Sequence, residues 1–255
     1  AFPLNQFIES FVYYMDYNPA HTVDRFLPDG NTYIVIDLTD YPKFIYDNNS
    51  LKEIQSCRNV WFSGIRTNYI TIPSGRDSEM FVINFHKGKT YPFVEMPMNE
   101  LTDYVVDGEL VMSTEILNMR ETLLELISVK QKFVYAEQYL WKTFSRKLNV
   151  NPFVDYSVNS ILQSPHQLAI NQLSDKVGFS QRHFIKLFKE HVGITPKAFL
   201  KIIRFQKAIQ EIEATSTANW TNIAYESGYY DQAHFINDFK EFSGFTPKQF
   251  LKMKS

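Results

Sequence analysis

Two periodicities divide the chain. Between about residues 13 and 94, short runs rich in β-branched and aromatic residues recur: YIVIDL (33–38), FIYD (44–47), VWFSGI (60–65), YITI (69–72) and MFVINF (80–85). The turn-forming stretches LPDGN, DNNS and PSGRDS separate them, so the spacing predicts a small β-sandwich or barrel. Beyond it the apolar positions shift to helical spacing. Helices are predicted at 98–104, 114–128 and 132–147, and at 153–162 after a break at NVNP. Ile116, Met119, Leu123, Leu126 and Ile127 form the apolar stripe of the second helix, and Phe133, Ala136, Leu140, Trp141 and Phe144 that of the third. One stripe is needed to pack on the β part. The other is free to pair subunits, which makes residues 114–148 a candidate homodimer surface.

The last third of the chain contains a repeat. QLSDKVGFSQRHFIKLFKEHVGITPKAFLK (172–201) returns as NIAYESGYYDQAHFINDFKEFSGFTPKQFLK (222–252), offset by 50 residues at Gly178 and Gly228 and by 51 from Phe188 and Phe239 onward. Each copy is therefore expected to be one supersecondary unit. In the first, Leu168, Ile170, Leu173 and Val177 mark a helix that stops at Gly178. Ser180 supplies the N-cap oxygen of a second helix, with Phe184, Leu187, Phe188 and His191 on its inner face and Arg182, Lys186 and Lys189 outside. Gly193 ends it, and Thr195 and Pro196 open a third helix of about 16 residues, about 24 Å long. Two short helices joined by a tight glycine turn, the second basic on its outer face, predict a helix-turn-helix. An αα-hairpin that serves only for packing is the plainer alternative, and the unmixed basic stripe argues against it.

The second copy follows the plan with weaker charge. Asp231 is the expected cap, Phe235, Phe239 and Phe242 face inward, and Gln232, Ala233, Ile236 and Asn237 point outward, with Lys240 the nearby base. Asp238 replaces Leu187 and is expected neither to pack nor to attract phosphate. The third helix of the first copy should hold the two reading helices about one DNA turn apart, near 34 Å.

Composition adds three bounds. The 255 residues are 44% hydrophobic, 16% aromatic and 21% charged, which suits one large folded domain or two ordinary ones and excludes collagenous or low-complexity chains. No apolar run reaches the length of a membrane span and the opening AFPLNQFIES lacks a signal-peptide layout, so a cytoplasmic location is expected. The single cysteine, Cys57, can form no internal disulfide and is expected to be a buried, passive thiol. The net charge of -2 hides an asymmetry: residues 166–255 carry 12 Lys+Arg against 8 Asp+Glu, so the positive charge gathers on the repeat.

The paired units, with their G-F/Y, HF, FKE and G-x-T-P blocks, resemble the AraC/XylS family of bacterial transcription regulators over about residues 152–253. The resemblance implies a double-stranded DNA partner. It places base-reading residues at Arg182, Ile185 and Lys186 on the first unit and at Gln232, Ala233, Ile236 and Asn237 on the second, with Lys189 and Lys240 as the adjoining basic residues. Ile185 departs from the pattern by offering only apolar contact, as to a thymine methyl, and Asn237 by replacing a base. The LPDG, GIRT, FHKGKTYPF and MNELTD segments are similar to the cupin-like sensory domain of one regulator subgroup, which implies a small-molecule effector. Arg66, Arg76 and His86 are the candidate contacts for an anionic one, whereas Trp61, Phe62, Phe81 and Phe85 read as core.

An enzymatic cupin is the rival from another class. It would need two or three converging histidines, but the β part offers only His21 and His86, and the chain has no G-x-S-x-G, H-E-x-x-H, P-loop or dinucleotide fingerprint. No catalysis, cofactor or metal is expected. The fold class expected is α+β: a β-sandwich or barrel (1–110), helical connectors (111–150) and an all-α DNA-binding part with two helix-turn-helix units (151–255). The function expected is sequence-specific transcription regulation. The alternative is a helix-turn-helix protein without strong sequence preference, or one serving as a protein-interaction module, as the weak basicity of the second unit would suit.

Overall fold

The computed structural model describes residues 3–16, 19–94, 96–166, 170–214 and 219–254. Among these residues nine strands form two antiparallel sheets. The first pairs β1 (Ile8–Tyr14), β8 (Met80–Phe85), β3 (Tyr33–Asp37), β6 (Val60–Ser63) and β9 (Val105–Asp107) in that order. The second pairs β2 (Val23–Phe26), β7 (Ile70–Pro73), β4 (Lys43–Tyr46) and β5 (Glu53–Cys57). The sheets stay separate, so the sandwich alternative is realised and the closed barrel is not.

The alternation of side chains along each strand assigns the two faces of the first sheet. Ile34, Phe62, Phe81 and Ile83 point one way, into a core completed by Ile116, Met119 and Leu123 of α2 (Glu115–Glu125) and Ala136 and Leu140 of α3 (Val129–Phe144). Val35, Trp61, Met80 and Val82 point the other way, toward Ile45, Cys57 and Ile70 in a smaller inter-sheet cluster. The larger core therefore lies between sheet and helices. Two long polar side chains tie these layers: buried Arg120 donates to the carbonyls of Asp37 and Thr39, and buried Lys132 donates to the carbonyl of Leu123 near the end of α2. Cys57 is buried, and burial with the nearby Asp107 charge raises its pKa to about 11, which suits a passive thiol.

Four strands and one helix differ from the sequence expectation. β1, β2, β5 and β9 lie outside the five predicted runs. At β5 the side chains are exposed at four consecutive positions, as befits a sheet edge, so no alternation marks it. The helix expected at 98–104 is only a 3-10 turn, Met98–Glu100; Asp103 takes φ +62 and Val105 pairs with Ser63. A short α1 (Glu109–Met112) follows. The α2 stripe also ends early, because Leu126 turns to extended backbone and Ile127, beyond the helix, is 97% exposed.

Seven helices complete the described chain: α4 (Pro152–Gln163), α5 (Ile170–Lys176), α6 (Gln181–Val192), α7 (Pro196–Ala214), α8 (Trp220–Glu226), α9 (Gln232–Ser243) and α10 (Pro247–Lys254). Leu168, expected on the stripe of α5, lies outside the described residues. Capping follows the sequence: the side chains of Ser180 and Asp231 accept from the N–H groups of His183 and His234, and Thr195 from that of Ala198. Phe184, Phe188, Phe199, Phe205, Phe235 and Phe239 are almost fully buried in one cluster, each contributing about 1.5–3 kcal/mol by leaving water.

The β-rich part touches both repeats at equivalent places. Gly193 and Gly244 occupy the same position in the two units, both with positive φ. A methyl carbon at Gly193 would stand 2.6 Å from Ile65, and the Gly193 carbonyl accepts a 2.7 Å bond from Thr102. Beside Gly244, the Arg25 guanidinium lies 4.7 Å from the Tyr69 ring centroid and 4.1 Å from that of Phe245, and donates to the Ser243 carbonyl. Between them, Gln206 of α7 donates to the carbonyl of Pro28 at 2.6 Å, and Tyr91 stacks on His191.

Gly193→Ala should lose about 1–3 kcal/mol, since φ of +103 and the Ile65 contact both oppose a side chain; urea midpoints measure it. Asp37 supplies a pH test. Burial raises its carboxyl above the ordinary range by more than the Thr39 hydrogen bonds and the Lys43 and Arg120 charges lower it. A raised folded-state pKa means the folded chain is penalised once the group must ionise. Asp37→Asn should therefore be more stable than the parent at pH 7, with the gap closing as pH falls below the carboxylate range.

Candidate nucleic-acid interface

Each helix-turn-helix is shaped by its turn. Gly178 and Gly228, with φ of +72 and +85, reverse the chain between α5 and α6 and between α8 and α9. At Gly228 the approach is closest: an added Cβ would stand 2.6 Å from the His166 backbone and 3.1 Å from Arg204 Nε. Arg204 also donates to the Pro165 carbonyl at 2.8 Å, so it fastens the α4–α5 link to the second turn. Burial lowers its pKa while Tyr229 and Asp238 oppose the shift.

The helices after the turns present the predicted residues unevenly. On α6, Arg182 and Lys186 are exposed, whereas Ile185 and Lys189 are half-buried. On α9, Gln232, Ala233, Asn237 and Lys240 are exposed and Ile236 is half-buried against the core. The repeat superposes Arg182 on Ala233, Lys186 on Asn237 and Ile185 on Ile236, so equivalent positions carry guanidinium and ammonium groups in one unit and a methyl and an amide in the other.

Three features escape the sequence reading. Gln181 is exposed at the start of α6 and is the counterpart of Gln232; aligning the repeats would have found it. Tyr225 at the end of α8 and Tyr230 just before α9 are strongly exposed. Asp238, expected neither to pack nor to attract phosphate, does pack: it is 4% exposed and bonded to Lys201 of α7 at 3.0 Å, with His234 Nε2 3.3 Å from its second oxygen. The carboxylate replaces the apolar contact of Leu187 with a polar tie between α9 and α7. Beside it Tyr229 is buried, and burial together with the Asp238 charge pushes its phenol upward.

In the β part, Arg66, Arg76 and His86 each meet a different backbone carbonyl. Arg66 donates to Asp103 at 2.7 Å, Arg76 to Pro19 at 3.4 Å, and His86 Nε2 lies 3.2 Å from the oxygen of Asn5. Burial lowers the Arg66 pKa. Trp61, Phe62, Phe81 and Phe85 are all buried as core.

Comparison with known proteins follows the same division. Residues 173–253 match a family model described as a helix-turn-helix domain, and residues 1–107 match one described as a domain of unknown function (DUF6597). An uncharacterized HTH-type transcriptional regulator of Haemophilus influenzae is 35% identical over 97 residues, 38% of this chain and 32% of that protein. Another from Staphylococcus aureus is 30% identical over 138 residues, 52% of this chain and 18% of that protein. The chain thus spans a third or less of these relatives. ToxT from Vibrio cholerae has a similar fold, with a TM-score of 0.50 at 12% identity over 96% of this chain and 98% of that one. No helix among the described residues is long and apolar enough to cross a membrane.

The tie at Asp238 is testable by stability. Lys201→Met should cost about 1–3 kcal/mol by leaving a buried carboxylate without its nearest cation, a range reduced because Lys201 is one-third exposed. Adding Asp238→Leu, which copies Leu187, should restore most of the loss in urea unfolding.

Proposed function

We propose that this chain is an AraC-type, sequence-specific double-stranded-DNA-binding transcription regulator that acts in the cytoplasm by binding and not by catalysis. One observation carries the reading: two copies of one unit present exposed side chains at equivalent helical positions on a shared strut. That strut, α7, has 19 residues and is about 28 Å long, near the 34 Å between successive major grooves on one face of DNA.

The side chains suggest a division of labour. Arg182 and Lys186 suit the O6 and N7 acceptors of guanine, while Gln232 and Asn237 suit the N6 and N7 edge of adenine. Ala233, and the exposed edges of Ile185 and Ile236, suit thymine methyl groups. Lys189 and Lys240 suit phosphates, which supply affinity and salt dependence without sequence information.

In this reading residues 1–110 are the sensory part, 111–150 the connector and 151–255 the DNA-binding part. A small-molecule effector, met by Arg66, Arg76 or His86, would act through the contacts at Gly193 and Gly244. A homodimer through 114–148 is supported by the exposed Val134 and Trp141 of α3 and by Ile127 before it.

Binding measured against a panel of single-base-pair variants tests the central claim. Arg182→Ala should lose about 1–3 kcal/mol at particular base pairs, and Gln232→Ala should do so at others about one helical turn away. Equal weakening of every sequence by both variants would leave a DNA-binding protein without direct readout and overturn the specificity.

A further inference from the structure

An open groove of about 710 Å³ lies between the starts of the two recognition helices. Leu200 and Ile170 line it together with Gln181, the first residue of α6, and His234, the third of α9. Along it run Lys197, Lys201 and Arg204 at i, i+4 and i+7 on α7, which places all three on one helical face. We propose that this groove is a phosphate site for the stretch of DNA backbone that passes between the two major-groove contacts. The inference rests on the DNA-binding reading above and adds a third point of attachment to it.

Charge and position support the assignment together. Gln181 and His234 immediately flank Arg182 and Ala233, so a duplex read by both helices carries a strand across the space between them. The lining carries three cations, and the Asp238 carboxylate bonded to Lys201 behind it reduces their sum to +2 when His234 is neutral. The cations differ in freedom. Arg204 is committed to the Pro165 carbonyl, whereas Lys197 is exposed. Lys201 is held by Asp238, which also faces His234, with Tyr229 against the imidazole ring. Asp238 is thus a positioning residue: it orders Lys201 at the groove before a ligand arrives, which reduces the side-chain entropy lost on binding.

The salt dependence of binding separates this role from a purely structural one, because each phosphate contact contributes about 0.9 to the slope of log K against log salt. Fluorescence anisotropy of the full chain on a labelled specific duplex and on a random duplex, over about 50–200 mM KCl, gives the slopes. Lys197→Gln should lower the slope by about 0.9 on both duplexes. Lys201→Gln combined with Asp238→Asn removes the buried pair as a unit, leaves the total charge unchanged, and should lower it by a similar amount. Lys52→Gln, at an exposed position between β4 and β5, should leave it unchanged. Parental slopes in both groove variants would overturn the proposal, as would a loss confined to particular base pairs. Failure of the parent protein to bind any duplex would instead remove the DNA-binding reading on which the site depends.

Discussion

Gly193 and Gly244 let the β-rich part approach the backbone of both recognition units where a side chain would block it. Ile65 and Thr102 meet the first glycine, and Arg25 with Tyr69 meets the second. Everything that the helical part presents to a ligand is arranged around these two points and the strut between them. Gln206 binds the strut to the Pro28 carbonyl, and Phe199 and Ile203 on the same helix lie beside Gly30. Burial of the side chains fixes the shape of each unit, while these contacts fix the units against the rest of the chain.

Within that frame the two units have diverged in chemistry while keeping their geometry. The first keeps an apolar Leu187 toward its core and exposes a guanidinium and an ammonium. The second exposes an amide and a methyl at the same places and spends its inner position on Asp238. A buried carboxylate is costly unless it is matched, and Lys201 matches it. The apparent electrostatic weakness of the second unit therefore has a counterpart on α7, where Lys201 and Lys197 stand.

Much of this was legible because repeats and caps are local. Ser180, Asp231 and Gly193 each mark a helix end through their own backbone or side-chain chemistry, and each lies where that chemistry required. The strands Tyr33–Asp37 and Met80–Phe85 were legible because both of their faces are apolar and the runs stand out. β5 was not, since an edge strand with exposed side chains has no alternation to read. β9 was hidden by the helical pattern of 98–104, which Asp103 in a left-handed conformation interrupts and pairing with β6 overrides. Of the site, the outward residues followed from periodicity, whereas the Asp238–Lys201 tie joins residues 37 positions apart and only the packed fold brings them together.

The two docking points belong to different sheets. Ile65 lies two residues past the end of β6 in the five-stranded sheet, while Arg25 is in β2 and Tyr69 directly precedes β7 of the four-stranded one. Each sheet thus meets one helix-turn-helix unit. The filling between the sheets is the smaller cluster of Ile45, Cys57, Trp61, Ile70, Met80 and Val105. The two helix-turn-helix units are therefore braced by different sheets, and the inter-sheet cluster joins one brace to the other as α7 joins one unit to the other.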